Sequence, residues 1–260
     1  MTTHFVDGIA VEVEGEGTPV VCIHGLGGTS NTWTPLLRAM RNHKVVRIEL
    51  PGSSRSAAGV GTLSIERMVD AVIAVCRQLD IGNAHFVAHS MGTIVCQHLA
   101  IKKPSLIKAL TLFGPLPCPP DVARPNVLAR AQKAASGGTV AMQEIADAIV
   151  GGTLSASTRE SQPVTMAMVR ESLMRQDAQN YSRSCEALAA VQSAALEDIA
   201  VQTLLITGDE DPVAPPSTAY DMARRMPKAR VVVLTRCGHW TPFERPIECA
   251  NLLEEALRRT

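Results

Sequence analysis

Apolar and polar positions alternate at the start of the chain and then change rhythm. Ile9, Val11 and Val13 alternate with Ala10, Glu12 and Glu14, the period-two pattern of a strand with one buried face. Asp7-Gly8 supplies a tight turn that pairs this strand, Ile9–Glu14, with Thr3–Val6 as a hairpin. Further on, short unbroken apolar runs take over: Val20–Ile23, Val45–Leu50, His85–Ala88, Ala109–Phe113, Thr203–Thr207 and Arg230–Leu234. A strand apolar on both faces is covered on both faces, and helical patterns separate most of these runs, so they predict a mostly parallel sheet flanked by helices. With the hairpin the sheet has eight strands. The clearest helix spans 65–79, where Ile65, Met68, Val69, Val72, Cys76 and Leu79 recur every three or four residues. An earlier helix is predicted to open at Thr34-Pro35, as N-cap and first helical residue.

The alternation breaks at "GPLPCPPDVARP", whose prolines continue neither a helix interior nor a central strand. From there to about Leu196 the pattern is helical, with Met142, Ile145, Ala146 and Ile149 on one face and Gly137-Gly138 and Gly151-Gly152 as predicted stops. The expected organisation is therefore an α/β core, residues 1–118 and 196–260, carrying a helical cap, 119–195, inserted after the sixth strand. A cap there sits over the carboxyl ends of the strands, where open α/β sheets bind ligands.

Composition narrows the partners. The chain has 260 residues, 46% of them hydrophobic, enough for one sizeable core. Its 25 basic and 25 acidic residues cancel, and no Lys/Arg cluster is interleaved with aromatics, so nucleic acid is not an expected partner. The start has neither the basic residues nor the apolar run of a secretory signal, and no stretch is apolar enough for a membrane span. Seven scattered cysteines without CxxC spacing suit a reducing cytoplasm, each as a small core residue. There is no HExxH, no GxxxxGK[ST] and no GxGxxG opening a helix, so neither metal nor nucleotide cofactor is expected. A small-molecule substrate is the expected partner, and a homo-oligomer is compatible with this composition.

The chemistry gathers around "FVAHSMGT". Ser90 lies between a strand and a helix, with Ala88 and Gly92 two residues to either side. That is the strand–turn–helix setting of a nucleophilic serine, with alanine in place of the usual first glycine; the alternative is a serine that caps the helix. A serine hydroxyl needs a base, and the base needs an acid to orient it. "GDEDPVAP" follows the strand at 203–207 and offers Asp209 and Asp211; "TRCGHWTPFERP" follows the strand at 230–234 and offers His239. Upstream, "VVCIHGLGG" runs a strand into a glycine-rich turn. His89 is expected to point away from Ser90 across the turn, and Cys237 to be a buried spectator near His239.

In this order and setting the residues resemble the α/β-hydrolase superfamily, from about Ile9 to Arg258. The resemblance implies that Ser90 is the nucleophile, His239 the base, Asp211 rather than Asp209 the acid, and that the N–H groups of Met91 and Leu26 hold the oxyanion. Gly25, Gly27, Trp33 and Trp240 are the expected substrate-binding residues beside them. The family's "D-x-x-G-x-G-x-S" appears here as Glu49-Leu50-Pro51-Gly52-Ser53-Ser54-Arg55-Ser56, without the second glycine. The cap stretch "AMVRESLMRQDAQNYSRSCEALAAVQ" resembles 3-oxoadipate enol-lactonases, notably at Tyr181, Cys185 and Ala187-Leu188. Arg130, Arg170 and Arg175 are the cap's candidate carboxylate clamps. The resemblance implies a cofactor-free hydrolase of lactones or small esters, with carbon–carbon bond hydrolases, haloperoxidases and non-catalytic receptors as alternatives on the same fold.

Overall fold

The computed structural model describes residues 1–259. β1 (Thr2–Val6) and β2 (Ile9–Glu14) form the expected hairpin, with Asp7 and Gly8 both at positive φ in the turn. The other strands are β3 (Pro19–Ile23), β4 (Lys44–Ile48), β5 (Ala84–His89), β6 (Ile107–Phe113), β7 (Gln202–Gly208) and β8 (Ala229–Leu234). They make one eight-stranded sheet in the order β1-β2-β4-β3-β5-β6-β7-β8. The hairpin joins β4 antiparallel, and every pairing beyond β4 is parallel.

The unbroken apolar runs arise because successive residues serve different layers. Val21, Ile23, Phe86 and Ala88 face one core with helices α1 (Ile65–Gln78) and α2 (Met91–Lys102). Val20, Cys22, Val87 and Phe113 face another, closed by a 3-10 helix (Ser30–Met40) and, later in the chain, by Leu253 and Leu257. That 3-10 helix begins earlier than Thr34-Pro35 predicts. The Thr29 hydroxyl accepts the Asn31 N–H and the Thr32 hydroxyl accepts the Thr29 N–H, a reciprocal cap that starts the helix at Ser30 and leaves Pro35 inside it.

Between β6 and β7 come α3 (Arg124–Thr153), α4 (Ala156–Ser161), α5 (Pro163–Met174) and α6 (Ala178–Ala190). The predicted stop at Gly137-Gly138 is a kink instead. Gly138 takes φ 56°, with open space around it, and the helix resumes on the far side. The chain finishes with α7 (Pro216–Arg225), α8 (Thr241–Glu244) and α9 (Pro246–Arg258) around β8. Among the described residues no helix is long and apolar enough to cross a membrane.

Candidate active site

The turn from β5 into α2 forces Ser90 into φ 51°, ψ −122°, a conformation that costs a non-glycine residue about 1–3 kcal/mol. Main-chain bonds hold it there. The Ser90 N–H donates to the Phe113 carbonyl at 2.9 Å, and the Ser90 carbonyl accepts from the Thr93 N–H and hydroxyl at 2.8 and 2.7 Å. The side chain makes no helix-capping bond, so the hydroxyl is left for other work. Gly92 is required by proximity: a Cβ there would lie 2.4 Å from the Ile23 carbonyl oxygen and 2.5 Å from that of His24. Ala88, by contrast, is accommodated within the core.

The Ser90 hydroxyl lies 2.8 Å from Nε2 of His239, and Nδ1 of His239 lies 2.8 Å from Oδ2 of Asp211. A carboxylate only accepts, so Nδ1 carries the proton and Nε2 is free to accept the serine's. Asp211 is 3% exposed, and its Oδ1 accepts the N–H groups of Val213 and Ala214 at 2.8 Å each. Burial pushes its carboxyl up, but the His239 ring and those two N–H groups outweigh burial and hold it below the ordinary carboxylate range. Asp209 is the exposed neighbour. Its Oδ1 accepts the Cys237 N–H at 3.1 Å, so it braces the loop that carries His239.

That loop is fixed by residues the sequence did not point to. Glu244, 1% exposed, accepts the N–H groups of Gly238 and Trp240 on either side of His239, at 3.0 and 3.1 Å. It also accepts the Ser155 N–H and Thr158 hydroxyl of the cap, at 2.8 and 2.9 Å. The His239 N–H itself donates to the Thr153 carbonyl at 2.8 Å. One signal was present: Glu244 follows the buried stretch Trp240–Phe243, where a carboxylate has to be partnered. Gly114, at the end of β6, lies against the His239 ring.

His89 does point away from Ser90. Its Nε2 lies 2.9 Å from the His239 carbonyl and its ring packs 5.1 Å from that of His239 and 5.2 Å from that of Trp240. Burial, then the nearby His239, draws its pKa down to about 3, so it is a neutral packing group. His24 accepts the Leu50 N–H on Nε2 at 3.0 Å and donates from Nδ1 to the Gly25 carbonyl at 2.7 Å, which shapes the glycine turn. Cys237 is buried in apolar surroundings that push its thiol up, so it carries no reactive thiolate.

A cavity of about 330 Å³ opens above Ser90 between the sheet and the cap, and Leu26, Met91, His239 and Trp240 all line it. Among the described residues the N–H groups of Leu26 and Met91 are not engaged by other loop or turn groups. Gly25 lies beneath Ser90, where a Cβ would stand 2.7 Å from that of Ser90. Gly27 meets the cap: its carbonyl accepts from Ser172 at 2.7 Å, and a Cβ on it would strike Leu173. Trp33 differs from expectation. It is fully buried and packs on Phe113, ring centroids 6.1 Å apart, because it shares a helix face with Leu36 and Met40 that points into the other core. The missing glycine of the Glu49–Ser56 loop falls at Ser54, which adopts the left-handed φ of 48° itself, and its N–H donates to Gln176 of the cap at 3.0 Å. Of the candidate clamps, Arg170 is paired with Asp147 on the surface and Arg175 lies 3.9 Å from Glu171; only Arg130 lines the cavity. Among the described residues no three His, Cys, Asp or Glu side chains converge as a metal site.

Comparisons with known proteins agree with this architecture. The chain is 23% identical to an (E)-2-((N-methylformamido)methylene)succinate hydrolase of Acinetobacter baylyi, over 95% of this chain and 93% of the relative. It superposes on the enol-lactonase from Burkholderia xenovorans LB400 with a TM-score of 0.86 at 26% identity, covering 99% of this chain and 98% of the other. A thermophilic esterase from Thermogutta terrifontis matches with a TM-score of 0.90 at 23% identity, over 96% of this chain and 93% of the other. Residues 18–246 match the model of the alpha/beta hydrolase fold. The strand order, the strained turn at Ser90 and this match together make the chain a member of the alpha/beta hydrolase fold family.

Proposed function

We propose that the protein is a serine hydrolase of carboxylic esters or lactones, with a lactone as its first-choice substrate. The observation that carries the proposal is the continuous pair of 2.8 Å contacts from Ser90 through His239 to Asp211. His239 Nε2 removes the Ser90 proton as Oγ attacks the carbonyl, and Asp211 keeps the ring in the accepting tautomer and offsets its transient charge. The Leu26 and Met91 N–H groups face the oxygen that becomes negative, a contribution of about 2.7–4 kcal/mol per donor where it has been measured in a protease. Protonated His239 then returns its proton to the leaving alkoxide. For a lactone, that alkoxide stays attached to the acyl group. Water activated by the same imidazole then cleaves the acyl-enzyme, releasing the acid and regenerating the Ser90 hydroxyl.

The likeness to an enol-lactonase at 26% identity supports the lactone preference, and small linear esters are the second class. A panel of lactones and linear esters, run beside Ser90→Ala, tests both. Turnover lost in the variant and covalent labelling of Ser90 by a fluorophosphonate are the expected results. A wild-type protein that neither turns over nor labels would leave a non-catalytic receptor on the same fold.

A further inference from the structure

Four residues, Gly25 to Gly28, form the turn that carries the Leu26 N–H, and three of them are glycines with little stiffness of their own. The Gly28 N–H closes the turn on the Gly25 carbonyl at 3.0 Å, and Gly27 takes φ 74° at its third position. That is the pattern of a type II turn, in which the second residue's N–H goes unused. The cap supports the far end of this turn. The Ser172 hydroxyl donates to the Gly27 carbonyl at 2.7 Å, and the Gln176 amide nitrogen donates to the Gly27 and Gly28 carbonyls at 3.3 Å each and to the Ser172 carbonyl at 2.8 Å. On its other side the Gln176 amide oxygen accepts the Ser54 N–H at 3.0 Å. Ser172 and Gln176 are 7% and 6% exposed, so these bonds lie out of water. A main-chain N–H only donates and a carbonyl only accepts, so the amide has one workable orientation, oxygen to Ser54 and nitrogen to the glycine turn.

We propose that Gln176 is a positioning residue for the oxyanion turn, so that seating the cap is what fixes the Leu26 N–H for the reaction at Ser90. The inference deepens the proposed hydrolase function and rests on it for the reaction that the turn serves. An oxyanion donor works when it is held in place before charge develops. Glycines alone hold a peptide plane loosely, and two carbonyls pinned by a buried amide hold it firmly. The same side chain ties in the loop at Ser54, so the glycine turn, that loop and the end of α5 all register on one residue. A glutamate there would set a carboxylate against three carbonyls, and a leucine would strip the Ser54 N–H of its acceptor.

The test compares wild-type protein, Gln176→Leu, Ser172→Ala and Gln179→Leu in hydrolysis of p-nitrophenyl acetate. Gln179 is the control, since its amide donates to the Ala135 carbonyl within the cap. Gln176→Leu is expected to lower kcat about tenfold or more, a share of the roughly 10²–10³-fold that loss of a whole oxyanion donor costs, with KM changed less than about threefold. Ser172→Ala leaves the amide in place and should lower kcat less, and Gln179→Leu should match the wild type. Gln176→Asn keeps the polar groups but falls one methylene short, and it carries the same expectation should Gln176→Leu not fold. Hydrogen exchange, read by mass spectrometry, should quicken in Gln176→Leu across residues 24–32 and stay as in the wild type across residues 84–92. An unchanged kcat in the Gln176 variants, a rise in KM alone, or an equal fall in kcat with Gln179→Leu overturns the assignment. Failure of the hydrolase reading is separate: wild-type protein would then neither turn over nor label at Ser90 with a fluorophosphonate, while exchange across residues 24–32 still differed between it and Gln176→Leu, and the oxyanion role of Gln176 would fall with that reading.

Discussion

Gly114 and His239 are in contact across the top of the sheet: a Cβ added to Gly114 would stand 3.0 Å from Cε1 of the imidazole and 3.1 Å from Nδ1. Gly114 also has φ 55°, which a side chain tolerates poorly. Gly114→Ala should therefore displace the ring from Ser90. The expected outcome is a fall in kcat of about tenfold or more, because misplacement by an ångström costs up to about 10²-fold. The rate of fluorophosphonate labelling should fall in step, and labelling at the wild-type rate would show that the ring had not moved.

Glu244 accepts four hydrogen bonds from two segments, the loop around His239 and the stretch Ser155–Thr158, so its loss is felt on both sides of the cavity. Glu244→Gln keeps the shape but turns one acceptor into a donor facing a main-chain N–H. Leaving a buried donor unsatisfied costs about 1–3 kcal/mol, which in a chain of this size lowers Tm by roughly 5 °C. Glu244→Ala should cost more. Calorimetric unfolding of the two variants measures the order.

Asp211 and Asp209 are two residues apart, and their surroundings give them different work. Asp211→Asn removes the charge that fixes the His239 tautomer, and the expected loss in kcat is about 10⁴-fold. Asp209→Asn weakens one bond to the Cys237 N–H and should cost less than about tenfold. Ester hydrolysis by the two variants, side by side, checks the assignment.

Stability should depend on pH through the buried histidines His85 and His89. Burial, followed by the charges of His43 and Lys108, lowers the His85 pKa from its ordinary 6.5 to about 4. The unfolded chain then takes up this proton before the folded one does. Stability from keeping His85 neutral is complete above about pH 6.5 and is lost as pH falls toward 4, at up to about 1.4 kcal/mol per pH unit. His89, lowered to about 3, adds in the same direction. His85→Gln should flatten the fall of Tm between pH 7 and 5, as read by scanning fluorimetry.

Much of this molecule was legible before any coordinates. Burial on both faces writes itself into unbroken apolar runs, so the strands from β3 to β8 are found within one or two residues of their ends. The strained turn at Ser90 also leaves a mark, because no side chain fits at Gly92. Trp33 shows what the pattern hides. Nearness in sequence to the glycine turn does not say which side of the sheet a helix covers, and here Leu36 and Met40 take it to the side away from the cavity. Gly138 shows another gap: glycine permits a stop or a kink, and packing of the cap decides. Gly114 acts only through its contact with the distant His239, and Glu244 reaches Ser155 and Thr158 far along the chain, so local spacing announces neither role.

The main-chain bond from His239 to the Thr153 carbonyl has a mechanical corollary. Where α3 gives way to α4 the chain is riveted to the strap that holds the imidazole, so for the proposed hydrolase this junction cannot swing away without also moving His239 from Ser90. A molecule entering the chamber has to pass by another border, and any breathing of the riveted side trades reactivity for access.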